Sequence, residues 1–436
     1  MMNPRYLAVS LLNKTFRKGS YSNIQLSKGL ESSGLSARDK GLCSVIYYGV
    51  IERKITLDHI IAGLSSRPLN KLDDTVLNIL RCGIYQLSFM DFIPDSAAVN
   101  ESVSLAGQFG KKSAGGFINA VLRSFIRREK VYPVPCDIFH SSSIMYSAPE
   151  WLVESLFSDY GPELMTNLLS DSLDKPPVTI RRNPLKCSEE ELLSEKSGII
   201  CEPAGDIPDC YILSGGGDPA ASYAFEQGWF HVQDKASQLC AMAMAPEKND
   251  RILDICAAPG GKTFTMAELM GGEGIIFAGD LHEKRAGLIR QGAERLGLTN
   301  IRTFAGDASV LNSELPQFNK ILCDVPCSGI GAVRRKPEIK YKDPLDFQGL
   351  PDIQYKIAEN ALNYLCIGGE LVYSTCTLRK AENDEITDRL LENHPELEPV
   401  SFLEELGGPF GSYKASIFPC HFGSDGFYIS KVRKVR

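Results

Sequence analysis

Two cysteines follow two separate strand-like runs: Cys327 in Asp324-Val325-Pro326-Cys327-Ser328-Gly329, and Cys376 in Tyr373-Ser374-Thr375-Cys376-Thr377. Upstream, Asp254-Ile255-Cys256-Ala257-Ala258-Pro259-Gly260-Gly261-Lys262-Thr263 reads as a strand, a glycine-rich turn and a helix start. One cysteine after a strand is ordinarily a small buried residue. Two of them, each at the C-terminal end of a strand in the same α/β unit as a ligand-binding turn, face one crevice. That placement points to covalent catalysis in which one thiol attacks and the other finishes.

The turn is neither G-x-G-x-x-G nor a phosphate loop, because Lys262 follows the glycines too soon. Gly260 and Gly261 still let the backbone approach a ligand closely. The helix N-terminus near Thr263 offers free N–H groups. Carboxylates then recur at successive strand ends, at Asp280, Asp307 and Asp324. One after the second strand can accept from a ribose diol, and one after the third from an adenine amino group. With no pyrophosphate cradle, S-adenosylmethionine fits better than NAD. A single Asp here reads as a turn or cap; three beside the glycine turn read as a site.

Two thiols suit methylation at C5 of cytosine, a poor nucleophile. Thiolate attack at C6 makes C5 an enamine carbon that can take a methyl group. A base then removes the C5 proton and the thiol leaves. A free thiol is only a few per cent ionised at pH 7, so the site must activate it. A carboxylic acid donating toward N3 assists, and Asp324 is the candidate. The run Arg334-Arg335-Lys336-Pro337-Glu338, with Lys340 and Lys342, can hold phosphates beside the site.

These residues need a scaffold. The 436 residues, 43% hydrophobic and 23% charged, suffice for about two to four domains. No run approaches the ~18 apolar residues of a membrane span, and no secretory signal is read, so a cytoplasmic location without membrane partners is expected. The 13 cysteines show no C-x-x-C pair or zinc spacing; reduced thiols and no metal are expected. Residues 1–130 hold 18 Lys and Arg against 10 Asp and Glu, net +8, while the whole chain is −7. A basic module on an acidic body suggests a phosphate-rich partner.

Ala8, Leu11, Leu12 and Phe16 mark one helix face, and Val76 to Leu87 another with Asp73 or Asp74 as cap. Further helices are expected near 100–108 and 117–127. Val131–Pro135 and Ser141-Ser142-Ser143 read as a linker. A strand near 178–182 and a helix capped by Ser188 suggest a small α+β unit. From about 226, apolar strands alternate with helices, as in a parallel sheet covered on both faces. Runs near 415–418 and 427–432 would form an antiparallel hairpin at the sheet edge.

The blocks Asp254–Thr263, Asp324–Gly329 and Tyr373–Thr377 resemble the signatures of the RNA (cytosine-5)-methyltransferases that use S-adenosylmethionine. Gly228-Trp229-Phe230-His231-Val232-Gln233-Asp234-Lys235-Ala236-Ser237 is similar to that family's entry segment. Asp39-Lys40, Ile79-Leu80-Arg81, Ala98-Val99-Asn100-Glu101 and Phe117–Arg123 resemble the NusB-like RNA-binding domain. Together they are similar to the RsmB (Sun) branch, which modifies small-subunit ribosomal RNA. The resemblance implies a multidomain chain: an all-α NusB-like domain over 1–135, a small α+β RNA-binding or connecting domain over 142–225, and an α/β Rossmann-like methyltransferase domain over 226–436. It implies Cys376 as nucleophile, Cys327 in product release, and cofactor contacts from Cys256, Ala257, Ala258, Pro259, Gly260, Gly261, Lys262, Asp280, Asp307 and Asp324. DNA cytosine-5 methyltransferases use the Pro-Cys cysteine instead, so the residues alone leave the two roles open. The family often has Gly-Thr-Gly where this chain has Gly329-Ile330-Gly331. The expected enzyme is a monomer acting on 16S ribosomal RNA. The alternatives are a transfer RNA substrate or a non-catalytic RNA-binding assembly or antitermination factor.

Overall fold

A computed structural model describes residues 3–18, 22–205, 207–215 and 217–436. The chain forms two compact units. The first comprises Met1–Asp174 with Val333–Lys342, and the second Lys175–Ala332 with Asp343–Arg436.

The first unit is helical. The stripe with Ala8, Leu11 and Leu12 lies on the helix Pro4–Lys18 and is buried. The stripe from Val76 lies on Asp74–Phe89. Asp73 caps that helix by accepting from the N–H groups of Thr75 and Val76, which satisfies donors that the first turn cannot pair. The helices Asp95–Gln108 and Gly115–Arg127 complete the expected set. Ser141-Ser142-Ser143 is not linker. It sits inside the helix Ile138–Tyr146, which Asp137 caps, with Ser142 and Ser143 buried. The helix Glu150–Asp171 follows, broken at Gly161-Pro162, where Gly161 has φ 77°.

The second unit holds two sheets. The smaller has β1 (Thr179–Arg182), β2 (Ile200–Pro203), β3 (Cys210–Ser214) and β4 (Phe230–Val232) in the order β2-β3-β1-β4, all antiparallel. Ser188 caps the helix Glu189–Leu193 through a capping box with Glu191. The larger sheet has β5 (Arg251–Asp254), β6 (Ile275–Asp280), β7 (Ile301–Ala305), β8 (Phe318–Asp324), β9 (Leu365–Thr375), β10 (Leu397–Pro399), β11 (Lys414–Ile417) and β12 (Phe427–Lys434). Its order is β10-β12-β9-β8-β5-β6-β7, parallel from β9 through β7. This is a Rossmann-like layout, and the buried runs of β5, β8 and β9 are apolar as a doubly covered parallel sheet requires. β11 and β12 pair antiparallel as expected, but β12 lies inside the sheet. It joins β9 on one side and β10 and β11 on the other. A buried ion pair, Arg181 Nε to Glu268 Oε2 at 2.8 Å, ties the small sheet to the helix after the glycine turn.

Candidate active site

β8 and β9 run parallel with Asp324 opposite Ser374. Their C-terminal ends therefore release the chain side by side, and the loops bring Cys327 Sγ to 3.3 Å from Cys376 Sγ. The Cys327 loop is pinned. Ser328 N–H donates to Glu382 at 2.8 Å, and the Ser328 and Thr377 hydroxyls are 2.8 Å apart. Gln354 donates to the carbonyl of Pro326 and to Glu382, each at 2.9 Å. Gly331 N–H donates to the carbonyl of Cys376 at 3.0 Å, and Gly426 N–H to that of Gly331 at 2.9 Å. A Cβ on Gly331 would stand 1.9 Å from the Gly426 carbonyl oxygen, so close backbone approach fixes the residue type here.

Lys262 Nζ donates to Asp324 Oδ2 at 2.7 Å, and Ser374 Oγ donates to Oδ1 at 2.9 Å. Both oxygens of Asp324 accept, so the carboxylate stands here as an acceptor. Donating toward a base, the role expected from the sequence, requires it to exchange one of these partners and gain a proton. Burial alone would lower the Lys262 ammonium, but the Asp324 carboxylate outweighs it and holds the charge. The same ammonium lies 4.9 Å from the centre of the Phe427 ring. The Cys327 thiol is pushed well above its ordinary range, first by its hydrogen bond with Cys376 and then by burial.

At the end of β5, Thr263 Oγ1 donates to Asp254 Oδ2 at 2.6 Å, while Asp254 Oδ1 is buried with no hydrogen-bond partner among the described residues. Burial pushes that carboxyl up to about 7. The turn continues through Cys256, a half-buried thiol raised by burial, and through Ala257, whose N–H donates to the carbonyl of Gly279 at 2.7 Å. Ala258 and Pro259 join through a cis peptide bond. Gly260 has φ 113° and Gly261 opens the helix Gly261–Leu269. Asp280 ends β6 buried, with Arg285 2.9 Å from its Oδ2 and the N–H of His282 on its Oδ1. Asp307 is exposed past the end of β7. Hydrogen bonds from the Ser309 hydroxyl and N–H to Oδ1 hold its carboxyl below the ordinary range. It also lines a cavity of about 410 Å³ with Ile255, Phe304, Asn360 and Tyr364.

The structure thus gathers Cys327, Cys376, Asp324 and Lys262 tightly, and sets Asp280 and Asp307 at neighbouring strand ends. Sequence reasoning passed over Ser374, Gln354, Glu382 and Arg285. Ser374 was within reach, since it lies two residues before Cys376 and so shares its face of an extended chain. Glu382 and Gln354 had no local signal.

Profiles of three families match the chain: "16S rRNA methyltransferase RsmB/F" over 241–433, "NusB family" over 2–127, and "Methyltr_RsmF/B-like, ferredoxin-like domain" over 148–218. A probable ribosomal RNA small subunit methyltransferase B from Bacillus subtilis is 37% identical over 99% of this chain and 98% of its own length. Another from Synechocystis is 34% identical over the full length of both. Among solved structures, PH0851 superposes with a TM-score of 0.83 at 21% identity, covering 100% of this chain and 99% of its own. NSun6 from Pyrococcus horikoshii with SFG gives 0.60 at 23% identity, covering 66% of this chain and 98% of its own.

Proposed function

The chain belongs to the RsmB/F family of ribosomal RNA small-subunit methyltransferases, and from that premise we propose that it methylates C5 of a cytosine in 16S rRNA through a covalent cysteine adduct. The observation that carries this reading is the 3.3 Å approach of Cys327 to Cys376 beside the Lys262–Asp324 pair. Two thiols in contact at parallel strand ends suit a reaction that must both make and break a sulfur–carbon bond.

Cys376 is the proposed nucleophile. That assignment follows the family resemblance; the Lys262 ammonium interacts with the Cys376 sulfur and favours negative charge there, and the hydrogen bond between the two thiols and then burial push Cys327 up. Its sulfur bonds C6 and the displaced π electrons build up at C5. After C5 gains the methyl group, the C5 proton passes to a base, the electron pair of that C–H bond re-forms the ring double bond, and the C6–sulfur bond breaks. Cys327, in contact with the leaving sulfur, assists that release. Asp324, held by Lys262 and Ser374, faces the base or the cofactor.

The cofactor proposed is S-adenosylmethionine, which supplies an electrophilic methyl group when bound. The residues fit it. Asp254 keeps a buried carboxylate oxygen without a partner just before the turn, and carboxylates end β6 and follow β7. Cys256 through Lys262, Asp280, Asp307 and Asp324 are the proposed holders. The division into 1–135, 142–225 and 226–436 belongs to the same proposal, as does action as a monomer in the cytoplasm; limited proteolysis and sedimentation test the first two.

The deciding experiment incubates Cys327→Ser and Cys376→Ser with 16S rRNA and S-adenosylmethionine and reads a denaturing gel. A protein–RNA band with Cys327→Ser alone is expected. A band with Cys376→Ser alone would exchange the two roles, and none with either variant would count against the adduct.

A further inference from the structure

The stretch Gly228–Ser237 has no role in the reaction as set out above, yet two of its residues reach both halves of the site. Gln233 and Asp234 follow β4 directly, and Asp234 is extended at φ −66° and ψ 149°. Adjacent side chains of an extended chain leave on opposite sides. Gln233 faces the glycine turn. Its Oε1 accepts from the Thr265 hydroxyl at 2.7 Å, and that hydroxyl lies 3.0 Å from the carbonyl of Gly261. A Cβ on Gly261 would stand 3.7 Å from Gln233 Nε2, so the amide stands beside the turn. The main chain is held as well: Gln233 N–H donates to the Thr179 carbonyl at 3.0 Å, and the Thr179 hydroxyl to the Gln233 carbonyl at 2.7 Å. Burying an amide is costly unless hydrogen bonds offset it. An apolar residue would fill this 6% exposed position without that cost, so the glutamine marks a position held for its contacts.

Asp234 faces the other way. Its carboxylate caps the helix Lys235–Ala243 by accepting from Ala236 N–H at 2.9 Å, and it accepts from Asp425 N–H at 3.2 Å on Oδ1 and 3.3 Å on Oδ2. Next along the chain, Gly426 N–H donates to the Gly331 carbonyl, and Gly331 N–H to the Cys376 carbonyl. Gly331 lies four residues past Cys327. A Cβ on Gly426 would stand 2.8 Å from Leu378 Cδ1 and 2.9 Å from Gly331 Cα. The tip at 425–426 is thus wedged between the two cysteine loops, and close packing passes any shift of it on to them. We propose that Gln233-Asp234 is a two-sided brace. Gln233 positions the glycine turn for S-adenosylmethionine, and Asp234, through Asp425 and Gly426, positions the loops that carry Cys327 and Cys376. Both are positioning residues. The inference rests on the reading of that turn and the two thiols as the active site.

The test uses full-length Gln233→Leu, Asp234→Ser and Asp234→Asn. Serine keeps a capping oxygen, but its shorter side chain falls short of Asp425. Asparagine keeps an oxygen in the place of Oδ1, which serves both N–H groups. Three quantities are compared with wild type well below the melting temperature: S-adenosylmethionine affinity by calorimetry, single-turnover methylation of 16S rRNA at saturating cofactor, and hydrogen exchange in the peptides holding Gly331 and Gly426. Gln233→Leu should weaken the cofactor about 10-fold, the scale of a lost buried hydrogen bond, with the rate within about twofold. Asp234→Ser should lose rate on the order of 10- to 100-fold, the scale of a misplaced reacting group, with cofactor affinity within about twofold and faster exchange. Asp234→Asn should restore most of the rate and the slow exchange. Lowered melting temperatures with rate and affinity unchanged overturn the brace, as do equal losses of both in each variant. An asparagine variant as poor as the serine one overturns the tether to Asp425. Should wild type methylate no 16S rRNA, the function reading falls, and cofactor affinity and exchange decide the brace: the same split between the two positions keeps it and its absence removes it.

Discussion

Cys327 and Cys376 come from the ends of neighbouring parallel strands and hold their sulfurs 3.3 Å apart. A disulfide needs about 2.05 Å between sulfurs, a small further approach. Diamide should therefore join them, taking up the two electrons and two protons that the thiols lose. Peptide mapping should find a 327–376 link and activity should fall until a thiol reductant restores it. Alkylation of both cysteines after diamide, with no link, would show that the loops do not permit that approach.

Replacing Lys262 by Met leaves Asp324 with Ser374 as its hydrogen-bond donor. Side-chain exposure of 12% and 29% makes this a partly screened pair, so the stability loss should be about 1–3 kcal/mol rather than the larger figure for a fully buried one. Turnover should fall on the order of 10²-fold. Asp324→Asn should do much the same, and the double variant should cost less than the two added together. Strict additivity in urea melts and in rate would mean that the pair does not act as a unit.

Gly331→Ala should destabilise by about 1–3 kcal/mol through overpacking, because its methyl group would meet the Gly426 and Cys376 carbonyl oxygens at 1.9 and 2.9 Å. The urea midpoint measures this. The covalent RNA band of Cys327→Ser should also weaken when Gly331→Ala is added, since the loop that carries residue 327 must shift.

Asp254 gives the second unit a pH signature. Its carboxyl titrates near 7 in the fold and near 3.9 when unfolded. Between those values the folded chain holds the extra proton, so stability falls as pH rises through the window, and the penalty is complete above about 7. Asp324, Lys262 and Asp280 contribute smaller charge effects on it. Asp254→Asn should gain on wild type by a few kcal/mol, as an order of magnitude, between pH 5 and 8. Parallel stability curves for the two proteins would contradict the assignment.

Arg335→Ala should weaken RNA binding at every sequence alike. The slope of log affinity against log salt should become shallower by roughly 0.7–0.9 for the lost charge. An unchanged slope would place Arg335 away from phosphate.

The site was legible where chemistry is local. The Asp254 turn, the two cysteines and the alternating strands each leave a mark within about ten residues of sequence, and a parallel sheet brings the C-terminal ends of its strands to one edge. The position of β12 was not legible, because an apolar run says that a strand is buried and not which neighbours it takes. Ser141-Ser142-Ser143 read as linker from its composition, yet two of the hydroxyls are buried within a helix. Nor could the sequence assign Val333–Lys342 to the helical unit. Its anchors at Ser22, Glu52 and Ser147 are far away along the chain, and Arg-Arg-Lys-Pro reads as surface.

That segment bears on synthesis. Domains tend to fold from the N-terminus as they leave the ribosome, but the helical unit lacks buried Val333, Pro337, Ile339 and Lys340 until residue 342 has emerged. Its last contacts must form after the smaller sheet and half of the larger one, through β8, have been translated. A nascent chain arrested near residue 180 should therefore carry a looser helical unit, more open to protease, than one arrested well beyond 342.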